Sequence, residues 1–160
     1  MLDAYNPPMH MKRQLRNVIV DMLDGIDGVC VLNTHRISVA AALAAKGERL
    51  VIVYHVAELP PQRTTNAIQG ARPGVRGFSY GIAVVTNDDD AENGAADEVQ
   101  AETERRLFAD DTPLRRLATR DVVDEGAETN VIEGRDEAVA TIRVITCHVP
   151  MIEGVPDRKA

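Results

Sequence analysis

Residues 50–57, LVIVYHVA, and residues 76–86, RGFSYGIAVVT, decide the fold of this chain. The first stretch is apolar on both faces, as expected of a central strand that is covered on two sides. The second stretch alternates, and one of its faces carries Phe78, Tyr80, Ile82 and Val84. An alternation of this kind is typical of a strand with one face on a core. The two stretches therefore predict two central strands of a sheet.

The segment that joins them is long and basic. Its 17 residues, 60–76, read PPQRTTNAIQGARPGVR and include no acidic residue. A hairpin needs only two to five loop residues, and loops beyond about 12–15 residues are usually functional or disordered. The segment holds Arg63, Arg72 and Arg76 in a chain whose net charge is −7. We expect contacts outside the domain to order this loop.

An amphipathic helix is predicted upstream of the strands. Its apolar stripe follows helical spacing and consists of Leu15, Val18, Ile19, Met22, Leu23 and Ile26. Gly25 and Gly28 end the helix. Residues 29–32 then form a short strand, whereas the Ala-rich residues 37–45 are either a helical turn or a second short strand.

A second helix is predicted from Ala91 or Gly94 to Ala109. Residues 88–110 contain nine acidic and two basic residues, and their sum of −7 equals the net charge of the whole chain. Asp88, Asp89 and Asp90 come at the start of this helix, where its dipole favours negative charge. Strong negative charge is therefore concentrated on one element.

The C-terminal part predicts two further strands. Residues 119–127 are polar and loop-like, and residues 129–133 and 137–149 form a hairpin. This order predicts an α+β two-layer domain. It has a mainly antiparallel sheet of four to five strands, two principal helices packed on it and a long loop between two central strands. The domain covers residues 11–149, between an N-terminal arm, 1–10, and a C-terminal tail, 150–160.

Length and composition exclude several classes of protein. The 160 residues are enough for about one domain with a real core. Aromatic residues make up only 3% and Trp is absent, which argues against base stacking of the single-strand-binding kind. A pI near 5.1 argues against broad nucleic-acid binding. We also expect no signal peptide and no membrane span, and we expect Cys30 and Cys147 to be buried thiols.

Common catalytic signatures are missing from the sequence. It contains no GxGxxG, GxxxxGK[ST], HExxH, CxxC or GxSxG motif. Asp88, Asp89 and Asp90 form either a solvated turn or a weak cation site shared between subunits. Cys147 and His148 are adjacent on a strand and point to opposite faces, so they do not readily share a metal. We therefore assign no catalytic residue, cofactor or metal ligand.

The charge pattern suggests a contact between copies of the domain. A basic loop on one copy could pair with the acidic helix of the next, and head-to-tail contacts of this type close into rings when the rotation fits. The candidate interface residues are Arg63, Arg72, Arg76, Asp88, Asp89, Asp90, Glu98 and Glu102. The alternative is that the arginines only keep a flexible loop in solution.

Three stretches resemble one known family. Residues 16–23, RNVIVDML, resemble its first helix, and residues 48–58, ERLVIVYHVAE, resemble its central strand. Residues 91–117 are similar to its second helix and the turn that follows. The family is that of the tail terminator proteins of long-tailed bacteriophages, the lambda tail protein U-like family, and the resemblance runs from about residue 11 to residue 148.

This resemblance implies a structural protein of the virion and not an enzyme. Members form a ring of six copies that caps the tail tube, ends tail elongation and provides the head–tail joining surface. The implied partners are further copies of the chain, the tail tube protein and a head–tail connector or neck protein. DNA would pass through the ring without specific binding. The implied location is the tail or neck of the virion, assembled in the host cytoplasm.

Other functions stay open at this point. Another neck or head-closure ring protein would leave a similar pattern. A small metal-dependent enzyme would use residues 88–90 or His148, although no second set of ligands is evident. A monomeric adaptor would bind a basic partner through the acidic helix.

Overall fold

The computed structural model describes residues 9–63, 73–118, 121–133 and 137–152, together with residues 156 and 159. In chain order, the elements of this described part are α1 (Met11–Leu23), β1 (Val29–Leu32), α2 (Ile37–Ala45), β2 (Arg49–Arg63), β3 (Pro73–Thr86), α3 (Asp88–Glu92), α4 (Ala95–Phe108), α5 (Pro113–Ala118), β4 (Val122–Ile132) and β5 (Ala138–Ile152).

The five strands form one sheet in the order β1-β2-β3-β5-β4. β1 runs parallel to β2, and the other three neighbouring pairs are antiparallel. The two strands predicted to be central, β2 and β3, lie inside the sheet. The predicted α+β fold class, with a mainly antiparallel sheet and helices packed on it, is confirmed.

The main core lies between one face of the sheet and helices α1, α4 and α5. The stripe predicted for α1 supplies Leu15, Ile19 and Leu23, which are fully buried against alternate residues of the strands. A smaller cluster on the opposite face is built by α2, through Ala40, Ala41 and Ala44. The sheet is therefore covered by the principal helices on one face and by one short helix on part of the other.

The Ala-rich residues 37–45, which the sequence left open, form helix α2. Because β1 and β2 are parallel, the chain must cross over between them, and a helix is the usual connection. The tertiary arrangement thus selects the helix from a segment whose own pattern fits either structure.

The loop predicted for residues 60–76 is too long at both ends. β2 continues to Arg63 and β3 begins at Pro73, with Arg63 opposite Gly74. Pro73 also pairs with Ile152 of β5. Pairing across strands thus extends the hairpin through residues whose local sequence is typical of a loop. Residues 64–72, which include Arg72, lie outside the described residues.

The C-terminal strands also differ from the prediction. Residues 122–127, expected to be loop, belong to β4, because the edge of β5 offers them hydrogen-bonding partners. β5 continues to Ile152, into the predicted tail. Beyond it, the backbone N–H of Met11 donates to the carbonyl of Pro156 (2.7 Å), and Lys159 forms a bridge with Met151.

The two cysteines have different environments. Cys147 is buried, as predicted, and burial raises the pKa of its thiol to about 12. Cys30 is exposed, so the prediction that it is buried is wrong, because the short strand β1 lies at the edge of the sheet. β1 and β5 are not neighbours, and both thiols are free.

Candidate assembly interface

Two of the three predicted basic residues, Arg63 and Arg76, lie towards one end of the central hairpin. Arg63 is the last residue of β2, and Arg76 lies in β3 opposite Val149 of β5. Arg76 is partly buried on the helix-bearing face, whereas Arg72 lies outside the described residues. Arg63 therefore lies at the opposite end of β2 from Arg49.

The predicted acidic turn lies at the other end of the hairpin. Helix α3 begins directly after β3, and the side chain of Asn87 caps it by accepting a hydrogen bond from the Asp90 N–H (2.8 Å). Asp88 and Asp89 are exposed on this helix. They are therefore presented to solvent at the end of the sheet.

Asp90 is held within the chain. Its carboxylate accepts two hydrogen bonds from the Arg49 guanidinium, Nε to Oδ2 at 3.0 Å and Nη2 to Oδ1 at 3.2 Å. These bonds, with the opposite charge, hold the pKa of Asp90 below its usual range. Asp90 therefore fixes α3 to the first residue of β2 and is less accessible to a partner than its neighbours.

Glu102 is also engaged inside the chain. Its carboxylate forms ion pairs with Arg106 (3.0 Å) and Arg105 (2.9 Å), and these bonds lower its pKa. Arg106 in turn donates to the carbonyl of Asp24 (2.8 Å), which follows helix α1. Glu102 thus belongs to a link between α1 and α4.

The remaining predicted acidic residues stay open to solvent. Asp88, Asp89 and Glu98 are exposed and make no ion pair with the described part of the chain. With Glu92 and Asp97 they form an acidic surface along α3 and at the start of α4. This surface is the part of the predicted acidic interface that a partner could reach.

Arg63 and the acidic surface lie at opposite ends of the hairpin. β2 has 15 residues between Arg49, beside α3, and Arg63 at the far end. At ~3.3 Å per residue, a strand of this length spans roughly 45–50 Å. The backbone of Arg63 is therefore far from the exposed acidic residues of α3 in the same molecule.

A second acidic segment was missed by the sequence analysis. Residues 121–133 contain five acidic residues and no Lys or Arg: Asp121, Asp124, Glu125, Glu128 and Glu133. Only Asp124 is ion-paired in the described structure, with Arg143 of β5 (2.5 Å); Arg143 also pairs with Glu104 of α4. The sequence does show this run of acidic residues without a basic one. Its polar composition, however, is typical of a loop, so the strand was not predicted.

The polar cleft beside Arg49 does not assemble a recognisable catalytic set. It has a volume of about 720 Å³, and its lining includes Cys30, Glu48, Arg49, Asn87 and Asp90. Arg49 is committed to Asp90. Within the described ranges, no group of three or more His, Cys, Asp or Glu residues is placed to hold a metal ion. No helix of those ranges is long and apolar enough to cross a membrane.

Comparison with known proteins does not assign the chain. No protein-family model matches it. A search of the curated proteins likewise finds no match. The geometry of the contact surfaces and the resemblance described above are therefore the grounds for assigning a function to the chain.

Proposed function

We propose that this chain is a structural virion protein of the tail terminator type, which assembles into a ring, of six copies by the resemblance, and caps the tail tube. In this role it ends tail elongation and presents a surface to the head–tail connector. Another ring of the neck or head-closure region is the second candidate, because the same surfaces would serve it.

One observation carries the proposal: the end of the hairpin that holds Arg63 and Arg76 and the acidic surface of α3 and α4 lie at opposite ends of one sheet. Complementary surfaces that lie far apart within a molecule favour contacts between copies, and a repeated head-to-tail contact closes into a ring when the rotation fits. Opposite charge would steer the encounter and set the register.

The first experiment measures the assembly state. Size-exclusion chromatography with light scattering, followed by negative-stain imaging, should show an annular oligomer with a central hole. Addition of the ring to tail tubes should then cap their ends. A protein that stays monomeric at high concentration would overturn the proposal, and binding to connectors but not to tubes would favour the second candidate.

The second experiment tests the basic end. Reversal of Arg63, Arg72 and Arg76 to Glu should weaken ring formation while circular dichroism shows a folded monomer. A matched control, with the same change in net charge, reverses Arg36, Lys46 and Arg115, which are exposed and lie outside the strands of the hairpin. If both variants assemble equally well, the three arginines do not contribute to the contact between copies. That result would not contradict ring formation itself.

A further inference from the structure

The outer edge of β2 is open over much of its length. β1 pairs only with the first residues of β2, from Arg49 to Ile52. Beyond Ile52, no described strand pairs with this edge. Pro60 and Pro61 follow and lack the N–H groups that a partner strand needs. Residues 53–59 thus form a free edge bounded by β1 on one side and by two prolines on the other.

The opposite edge of the sheet is strand β4, which pairs only with β5. Nine of its 11 residues are exposed, and its contacts in the described structure are mainly with β5. A bulge at residues 125–126, where Gly126 has a φ of 96°, interrupts the pairing. Residues 127–132 remain a regular strand with an unpaired outer edge, which can template another chain.

Exposed apolar side chains concentrate on these two edges. Six large apolar side chains are exposed in the described part of the chain, and four belong to the edges: Val56, Leu59, Val123 and Val131. Val131 is the most exposed of them, at 64%. Apolar residues on unpaired strand edges favour association and are costly to leave in water.

The charges beside the two edges differ in sign. The segment that contains β4 is entirely acidic in its charged residues. The open edge of β2 lies under the basic start of α1: Lys12 contacts Glu58 (3.6 Å), and the charges of Lys12 and Arg16 act on His55. The Nε atom of Arg16 and the Nε2 atom of His55 are buried without a hydrogen-bond partner in the described structure. Basic side chains of α1 thus lie beside the open edge of β2, whereas the charged residues of the β4 segment are all acidic.

We propose that β4 of one copy pairs with residues 53–59 of β2 in the next copy, so that the sheet continues from subunit to subunit. Within one sheet β4 runs antiparallel to β2, and copies set side by side in the same orientation would join in an antiparallel pair, the more stable arrangement. The occupant is a second copy of this chain, so the inference builds on the proposed ring and specifies its lateral contact.

Two variants, each with one edge blocked, test this pairing. One variant, Glu128→Lys with Val131→Lys, blocks β4, and the other, Val56→Lys, blocks β2. All three side chains are exposed. Lysine is chosen because it commonly prevents edge strands from pairing with another chain. Each variant alone should be monomeric by light scattering, with association weakened roughly tenfold or more. Their mixture should give heterodimers and nothing larger, because only one intact edge of each kind is available.

A control variant and a folding measurement complete the test. Val39→Lys changes another exposed apolar residue, which belongs to α2 and to neither edge, and this variant should assemble like the unaltered chain. Circular dichroism and thermal unfolding should show all variants folded. A ring that persists in both blocked variants, or their mixture without heterodimers, would overturn edge pairing but not the ring. An unaltered chain that is monomeric throughout would overturn both proposals.

Discussion

Two glycines of β3 lie beneath larger side chains of β2. A Cβ atom at Gly81 would lie 2.4 Å from Cζ of Tyr54, and one at Gly77 would lie 2.8 Å from Cδ1 of Leu59. Tyr54 and Leu59 therefore lie directly on the backbone of β3, on the sheet face opposite the principal helices. Tyr54 also packs against the smaller cluster that α2 builds on this face.

We expect Gly81→Ala to lower the free energy of unfolding by about 1–3 kcal/mol, because the new methyl group must displace the Tyr54 ring. Urea denaturation measures the change. In a Tyr54→Ala background the same substitution should be neutral or stabilising, since alanine restricts the unfolded chain more than glycine does. Equal losses in both backgrounds would show that the ring is not the cause.

The Arg49–Asp90 pair should make stability depend on pH. Because the pKa of Asp90 is lowered in the folded state, its stabilising contribution is present above the unfolded pKa, near 3.8, and is lost as the pH falls through the folded value. Asp90→Asn should cost about 0.5–1 kcal/mol at pH 7, as for a partly exposed ion pair. Asp88→Asn, at an exposed neighbour, is the control. Denaturation at pH 7 and pH 3 should show the Asp90 effect shrinking in acid; a constant difference would contradict this.

At the scale of elements, α1 is the helix whose burial matches its sequence most closely. Its start is fixed by His10, which accepts a hydrogen bond from the Lys12 N–H (3.0 Å), and the Tyr80 hydroxyl donates to the Lys12 carbonyl (2.7 Å). The apolar stripe then packs on the sheet. The helix is therefore held at its first turn and along its length.

Removal of one buried side chain from α1 should be costly. Ile19 is fully buried in the main core, and Ile19→Ala should lower the free energy of unfolding by about 2–5 kcal/mol. Asp21→Ala, on the exposed face of the same helix, should change it by less than about 0.5 kcal/mol. Chemical denaturation of the two variants checks the orientation of the helix; similar losses would contradict it.

At the scale of the whole molecule, separate acidic and basic surfaces predict assembly that is sensitive to salt. Charges steer encounters over a distance of roughly 10 Å at 0.1 M salt and roughly 3 Å at 1 M. We therefore expect the association rate of dissociated subunits to fall about tenfold or more as salt rises over that range. Time-resolved light scattering measures it. An association rate that does not respond to salt would mean that apolar contacts alone drive assembly.

Local patterns in the sequence were sufficient for α1, for the central strands and for the acidic helix α4. Hydrophobic periodicity reports which face of an element is buried, and this is a property of neighbouring residues. The charge imbalance of residues 88–110 was equally visible in the sequence. The acidic and basic segments, and therefore the idea of contacts between copies, came from the sequence alone.

Only the tertiary structure decided which charged residues and strand edges are free to contact another copy. Arg49 and Asp90 are 41 residues apart in the chain, and no local pattern predicts that they pair. Strand β4 is exposed on both faces, so it shows no alternation, and only the edge of β5 makes it a strand. Pairing between distant segments thus set the two free edges of the sheet, because hydrogen bonds and ion pairs depend on distance in space and not on position along the chain.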